Sequence, residues 1–113
     1  MTASTSKRGA MGKLVRDRIP EIIRAEGGTP NVHVLSTAAY EIALHDKLLE
    51  EAAELRAAQD PADRLEEAAD VLEVLLTVAG LNGFALDDLV RAAAHKHARR
   101  GGFDERLWLK RFE

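Results

Sequence analysis

EEAAELRAAQDPADRLEEAAD, residues 50–70, decides how this chain folds. Its two ends are acidic clusters, Glu50-Glu51-x-x-Glu54 and Glu66-Glu67-x-x-Asp70, and Asp60-Pro61-Ala62-Asp63 lies between them. Asp ahead of Pro, with a second acid two residues beyond, reads as an N-cap followed by proline at the first helical position, so a new helix begins at Pro61. The stretch is therefore a helical hairpin. Reversal near residue 60 sets Glu51 opposite Asp70 and Glu54 opposite Glu67, each pair roughly 10 to 14 Å from the turn at 1.5 Å of rise per residue. The i, i+3 spacing keeps each cluster on one face.

Two readings of these acids compete. In one, four carboxylates converge, repel, and need a cation among them; an all-oxygen site suits a hard divalent ion such as Mg2+, with Mn2+ as the second choice. In the other, they are the solvated face of an acid-rich helix pair. Position favours the first. The apolar stripe Leu44, Leu48, Leu55 of the first arm is interrupted where Glu51 stands, and Glu67 and Asp70 continue the Val71, Val74, Val78 stripe of the second toward the turn. Acids in a seam built for Leu and Val need a partner.

Working outward, the first long helix is expected over 37–58, capped by Ser36 or Thr37, and the second from Pro61 to about Ala79. The sequence VLEVLLTVAGL, 71–81, is apolar on nearly every face, so a homodimer or homotetramer is expected to cover it. Gly80 to Ala85 breaks the pattern, and a third long helix follows over 86–100, stopped by Gly101-Gly102. Upstream, a short helix starts near Pro20 and stops at Gly27-Gly28. Val32-His33-Val34-Leu35 has strand character, and Arg106-Leu107-Trp108-Leu109 is the expected partner in a small two-stranded β ribbon. The fold class is all-α, a hairpin-based bundle with that ribbon and a core completed by oligomerisation. Residues 1–11 are expected to be a disordered leader, with Met11 an alternative start, and 12–113 one domain.

A net charge of −3, with 46% apolar and 31% charged residues, fits one globular domain or one subunit of an assembly. Without cysteine there are no disulfides and no thiolate zinc sites, and the cytoplasm is the expected compartment. No run is long enough to span a membrane; neither membrane nor nucleic acid is an expected partner. The charge is segregated. Residues 41–73 carry eleven acids against three bases, whereas 91–111 carry seven bases against two acids and 7–24 six against two. A cation-binding middle and phosphate-binding ends would handle a metal–phosphate substrate; mutual attraction and solubility explain the same pattern.

Lys96 and Arg100, one turn apart ahead of the Gly101-Gly102-Phe103 turn, form a second constellation, either a phosphate grip or a charged helix end with an ordinary glycine stop. Lys47 is either a phosphate contact or an i, i+4 partner for Glu51. His95 and His97 are two apart on a helix and do not chelate one ion together, and no Ser-His-Asp pattern is present.

KLVRDRIPEII at 13–23, LHDKLLEEAAE at 44–54, EEAADVLEV at 66–74 and KHARRGGF at 96–103 together resemble the all-α nucleoside triphosphate pyrophosphatases of the MazG-like superfamily. Within it, the chain is similar to the small house-cleaning members related to phosphoribosyl-ATP pyrophosphohydrolase. The resemblance covers about residues 12–110. It implies Mg-dependent hydrolysis between the α and β phosphates of a nucleoside triphosphate, giving a monophosphate and pyrophosphate. It also implies Glu51, Glu54, Glu67 and Asp70 as metal ligands and Glu50 as the residue that positions or deprotonates the attacking water. Lys47, Lys96 and Arg100 would hold phosphate oxygens, and Arg16 and Asp17 would line the pocket. Ala85 departs from the pattern, standing where a capping Ser or Asp is expected. The alternatives are activity on phosphoribosyl-ATP itself, or a non-catalytic, metal-binding helical dimer.

Overall fold

The computed structural model describes residues 12–113 and contains four helices: α1 (Ile19–Ala25), α2 (Thr37–Ala57), α3 (Pro61–Leu81) and α4 (Leu86–Arg100). The expected leader, 1–11, lies outside the described residues. The chain divides into two compact units at residue 78.

The first unit holds α1, α2 and most of α3. α1 opens with Pro20 in its first turn and closes on Gly28, whose N–H donates to the Ile23 carbonyl at 2.8 Å. At the start of α2 the Ser36 hydroxyl accepts from the Ala39 N–H at 3.2 Å, which satisfies one of the unpaired first-turn donors. The reversal between α2 and α3 is only three residues long. Asp60 caps α3 as its position before proline requires, its Oδ1 accepting from the Asp63 N–H at 2.9 Å. The Arg64 guanidinium reaches back across the turn to the Ala58 carbonyl at 3.1 Å.

Packing of the two arms follows the stripes. Leu44 on α2 and Val74 on α3 are the buried apolar residues among those described, at 3% and 9% exposure, and Leu48, Leu55, Val71 and Val78 are half-buried along the same seam. Glu51 is buried with them. On the other faces of α3, Leu72 and Leu75 remain exposed on the single chain. Among the described residues no single helix is both long and apolar enough to cross a membrane.

The second unit begins inside the last turn of α3. The helix runs through Gly80 to Leu81, two residues past the expected end, because its stop is the Asn82-Gly83 turn: Gly83 takes φ +83°, and the Phe84 N–H donates to the Ala79 carbonyl at 3.0 Å. Ala85 has no side chain to cap α4, but Asp88 supplies half of a cap from the other direction, its Oδ2 accepting from the Ala85 N–H at 2.8 Å. Asp88 also pairs with Arg91 at 2.7 Å.

The β ribbon is not formed. Both 32–35 and 106–109 lack regular structure, Val34 is 96% exposed and Trp108 86% exposed, and no strand occurs among the described residues. β-branched and alternating character describes a segment that suits a pleated surface, and without a ladder partner it supplies no backbone hydrogen bonds to hold one.

Candidate functional site

The interruption of the α2 stripe at Glu51 is the origin of the site. Continuous helix places Glu51 and Glu54 on the inner face of α2, and the short turn brings Glu67 of α3 against them. One carboxylate oxygen from each of the three lies within 4.8 Å of the others. Glu51 Oε1 and Glu67 Oε1 are enclosed and have no hydrogen-bond partner. Burial pushes the Glu51 carboxyl above its ordinary range, and Glu54 and Asp70 push in the same direction; only the Lys47 ammonium opposes them. Glu67 is raised by loss of solvent first, then by Glu54, Asp70, Glu51 and Asp63. Three crowded carboxylates with two enclosed, unpaired oxygens make an acceptor-only cluster, and that donor set fits a hard divalent cation.

Asp70, the fourth expected ligand, stands apart from this trio and pairs with Arg16, whose Nη2 lies 2.8 Å from Asp70 Oδ1. The pair ties the segment ahead of α1 to α3 across 54 residues of sequence. Lys47 Nζ sits 3.4 Å from Glu51 Oε2 and 3.6 Å from Glu50 Oε1, at the rim of the cluster and largely shielded. Of the two sequence readings of Lys47, the ion pair with Glu51 is formed. Glu50 is half-buried on the same turn.

Arg16 and Asp17 line a cavity of about 500 Å³ within the first unit, floored by Leu44 and Val74. Local spacing does not foretell this cavity. Its roof, 14–18, and its walls, Tyr40 on α2 and Thr77 on α3, are far apart in sequence; the only advance signal is that Tyr40, Leu44, Val74 and Thr77 extend the seam away from the turn.

Lys96 and Arg100 belong to the second unit, where both are exposed. Arg100 lines a cavity of about 570 Å³ together with His97, Gly101, Gly102 and Trp108. Glycine is favoured at the first of the two glycines there, and the second is close-packed. Gly101 takes φ +81°, and a Cβ on Gly102 would lie 3.1 Å from the His97 ring. Lys96 does not reach this cavity.

A family model described as phosphoribosyl-ATP pyrophosphohydrolase matches residues 10–97. The chain belongs to this family. The family lies within the MazG-like all-α nucleoside triphosphate pyrophosphatases, a group usually dependent on a divalent metal. Every acid of the hairpin, Lys47, Arg16, Asp17 and Lys96 fall inside the match; Arg100 and the Gly-Gly turn lie beyond it. An uncharacterized protein of Mycolicibacterium smegmatis (strain ATCC 700084 / mc(2)155) is 57% identical over 56 residues, 50% of this chain. The chain covers 57% of that relative's length. No solved structure matches it.

Proposed function

We propose that this chain is a Mg-dependent nucleoside triphosphate pyrophosphohydrolase that cleaves between the α and β phosphates, and that it serves in house-cleaning of damaged or unusual nucleotides. One observation carries the reading. Within a hairpin matched by a pyrophosphohydrolase family, oxygens of Glu51, Glu54 and Glu67 lie within 4.8 Å of one another, and two enclosed carboxylate oxygens lack any partner.

When bound, a divalent cation here neutralises phosphate charge and helps orient the attacking water. Glu51, Glu54 and Glu67 hold it, with Asp70 completing the set from the next turn of α3. Glu50 positions a water and takes its proton as the oxygen bonds to phosphorus. The bond to the bridging oxygen breaks, and pyrophosphate leaves. Lys47 offsets charge on the phosphate oxygens from the rim of the cluster. Arg16, with Asp17 beside it, contacts the substrate from the segment ahead of α1, and Lys96 and Arg100, in the second unit, are further candidates for phosphate contact.

The test is a panel of standard and damaged nucleoside triphosphates incubated with the protein and Mg2+ or Mn2+, with released pyrophosphate assayed. Release that depends on the metal is expected; silence from every nucleotide with either metal abandons the reading. The description of the matching family favours a second substrate, phosphoribosyl-ATP, which belongs in the same panel. We further propose a homodimer or homotetramer. Its support is Leu72 and Leu75, 45% and 38% exposed on a helix rich in Leu and Val. Sedimentation at micromolar concentration giving only monomer removes that part.

A further inference from the structure

The C-terminal arm, 103–113, lies beyond the family match, and every one of its residues is exposed. Phe103, Leu107, Trp108, Leu109 and Phe112 stand in water, Phe103 with 96% and Trp108 with 86% of its surface open. Single apolar side chains on a surface are ordinary, but five within ten residues make a patch that marks a contact. The arm also leaves α4 through a strained turn. Arg106 takes φ +58°, in the left-handed region that residues with a Cβ avoid, and its N–H donates to the Phe103 carbonyl at 3.1 Å. Such a conformation persists where surrounding structure holds it, and no part of the described chain covers the arm.

The outer face of α3 complements the arm in length, shape and charge. Leu65, Leu72 and Ala79 recur every seven residues on the side of α3 opposite Val74, with Ala68 and Ala69 between them, so this face is apolar and low. Leu65, Leu72 and Leu75 are exposed, and so are Glu66 and Glu73, which run along one edge. From Leu65 to Leu75 is roughly 15 Å of helix. Residues 107–112 in extended form span roughly 16 to 17 Å. Arg106, Lys110 and Arg111, interleaved with the arm's apolar side chains, are opposite in sign to the two glutamates. An anionic membrane surface also takes basic, aromatic-rich segments, but eleven acids against three bases over 41–73 and a net charge of −3 oppose that partner.

We propose that the C-terminal arm docks on the outer face of α3 in a second copy of this chain, and that two copies exchange arms reciprocally. The arm's apolar side chains then cover Leu65, Leu72 and Leu75, and its bases face Glu66 and Glu73. Reciprocal exchange makes the same contact twice and closes the assembly at two copies. This rests on the homodimer proposed above and names the element that each partner contributes; the hydrolytic reading does not enter.

Trp108 is the only tryptophan, so its emission reports the contact directly. Emission and sedimentation are followed together from nanomolar to tens of micromolar protein, for the full chain and for Leu72→Asp, Phe112→Ala and Lys110→Glu with Arg111→Glu. Circular dichroism monitors the helices, and the arm variants alter a segment without regular structure. The parent's emission is expected to shift to the blue as the dimer forms. Leu72→Asp should weaken dimerisation roughly 30-fold, the loss typical of one central interface anchor, and keep the emission of indole in water. Phe112→Ala should weaken it in the same sense, as should the double charge reversal, which Glu66→Lys with Glu73→Lys in the same chain should restore. A dimer whose Trp108 emission stays that of indole in water overturns the arm exchange and leaves the homodimer standing. Monomer at every concentration removes both. A blue shift that appears with phosphatidylserine-containing vesicles and not with protein concentration overturns the exchange in favour of a membrane surface.

Discussion

The seam between α2 and α3 has two ends built on the same helices and the same register, with opposite chemistry. Away from the turn, Leu44 and Val74 meet and exclude water. Toward the turn, the positions that continue their stripes are Glu51 and Glu67, whose enclosed oxygens have no partner. Burial at the apolar end is favourable without further help, and burial at the acidic end is unfavourable until something positive enters. The apolar end therefore holds the hairpin in register, and the acidic end spends that stability on holding carboxylates where water would otherwise separate them.

The sharpest way to break the comparison is at the apolar end. Leu44→Ala removes the most buried side chain among the described residues and is expected to cost about 2 to 5 kcal/mol, read from chemical denaturation. A cost under about 1 kcal/mol would mean that the acids, not the apolar contact, set the register. At the acidic end, Glu54→Gln keeps shape and removes charge. It should lower pyrophosphate release roughly 100-fold while leaving the melting temperature near that of the parent, an effect the size of losing one strong electrostatic contact to a transition state. Full activity in this variant would sink the ligand assignment.

Much of this contrast is legible in the sequence. Asp60-Pro61 announces a helix start, and Glu51 is conspicuous because it interrupts a leucine stripe of helical period. Both are local signals, and both are realised. The β ribbon failed for the converse reason. Val32 to Leu35 has the residues of a strand, but a strand exists only through a neighbour, and propensity does not supply one. The Arg16–Asp70 pair and the cavity roofed by 14–18 were illegible for a related reason: contacts across 54 residues leave no trace in spacing.

A pH experiment sharpens the acidic end, with a smaller expected effect. The folded chain raises Glu51 above its usual value of 4.5, chiefly through burial. The folded state therefore binds a proton more readily than the unfolded one, and stability falls as pH rises through the raised folded-state value. Without metal, Glu51→Gln should melt above the parent at pH 8, the difference closing toward pH 4.5. Added Mg2+ should stabilise the parent and not the variant. A variant that melts below the parent at pH 8 without metal would show that Lys47, 3.4 Å from Glu51, outweighs the cost of burial.

The smallest effect is expected at Arg16. Its bridge to Asp70 has good geometry at 2.8 Å, but the two side chains are 60% and 40% exposed, and ion pairs in water of that kind contribute less than about 1 kcal/mol. Arg16→Gln should therefore leave denaturation midpoints almost unmoved, and adding salt to the parent should do the same. The bridge differs from the buried seam in that either partner can leave it cheaply, as the proposed roles of Asp70 toward a cation and Arg16 toward a phosphate require. If Arg16→Gln instead lowers stability by well over 1 kcal/mol, the segment ahead of α1 is held by this contact, and Asp70 is a structural residue and not a ligand in waiting.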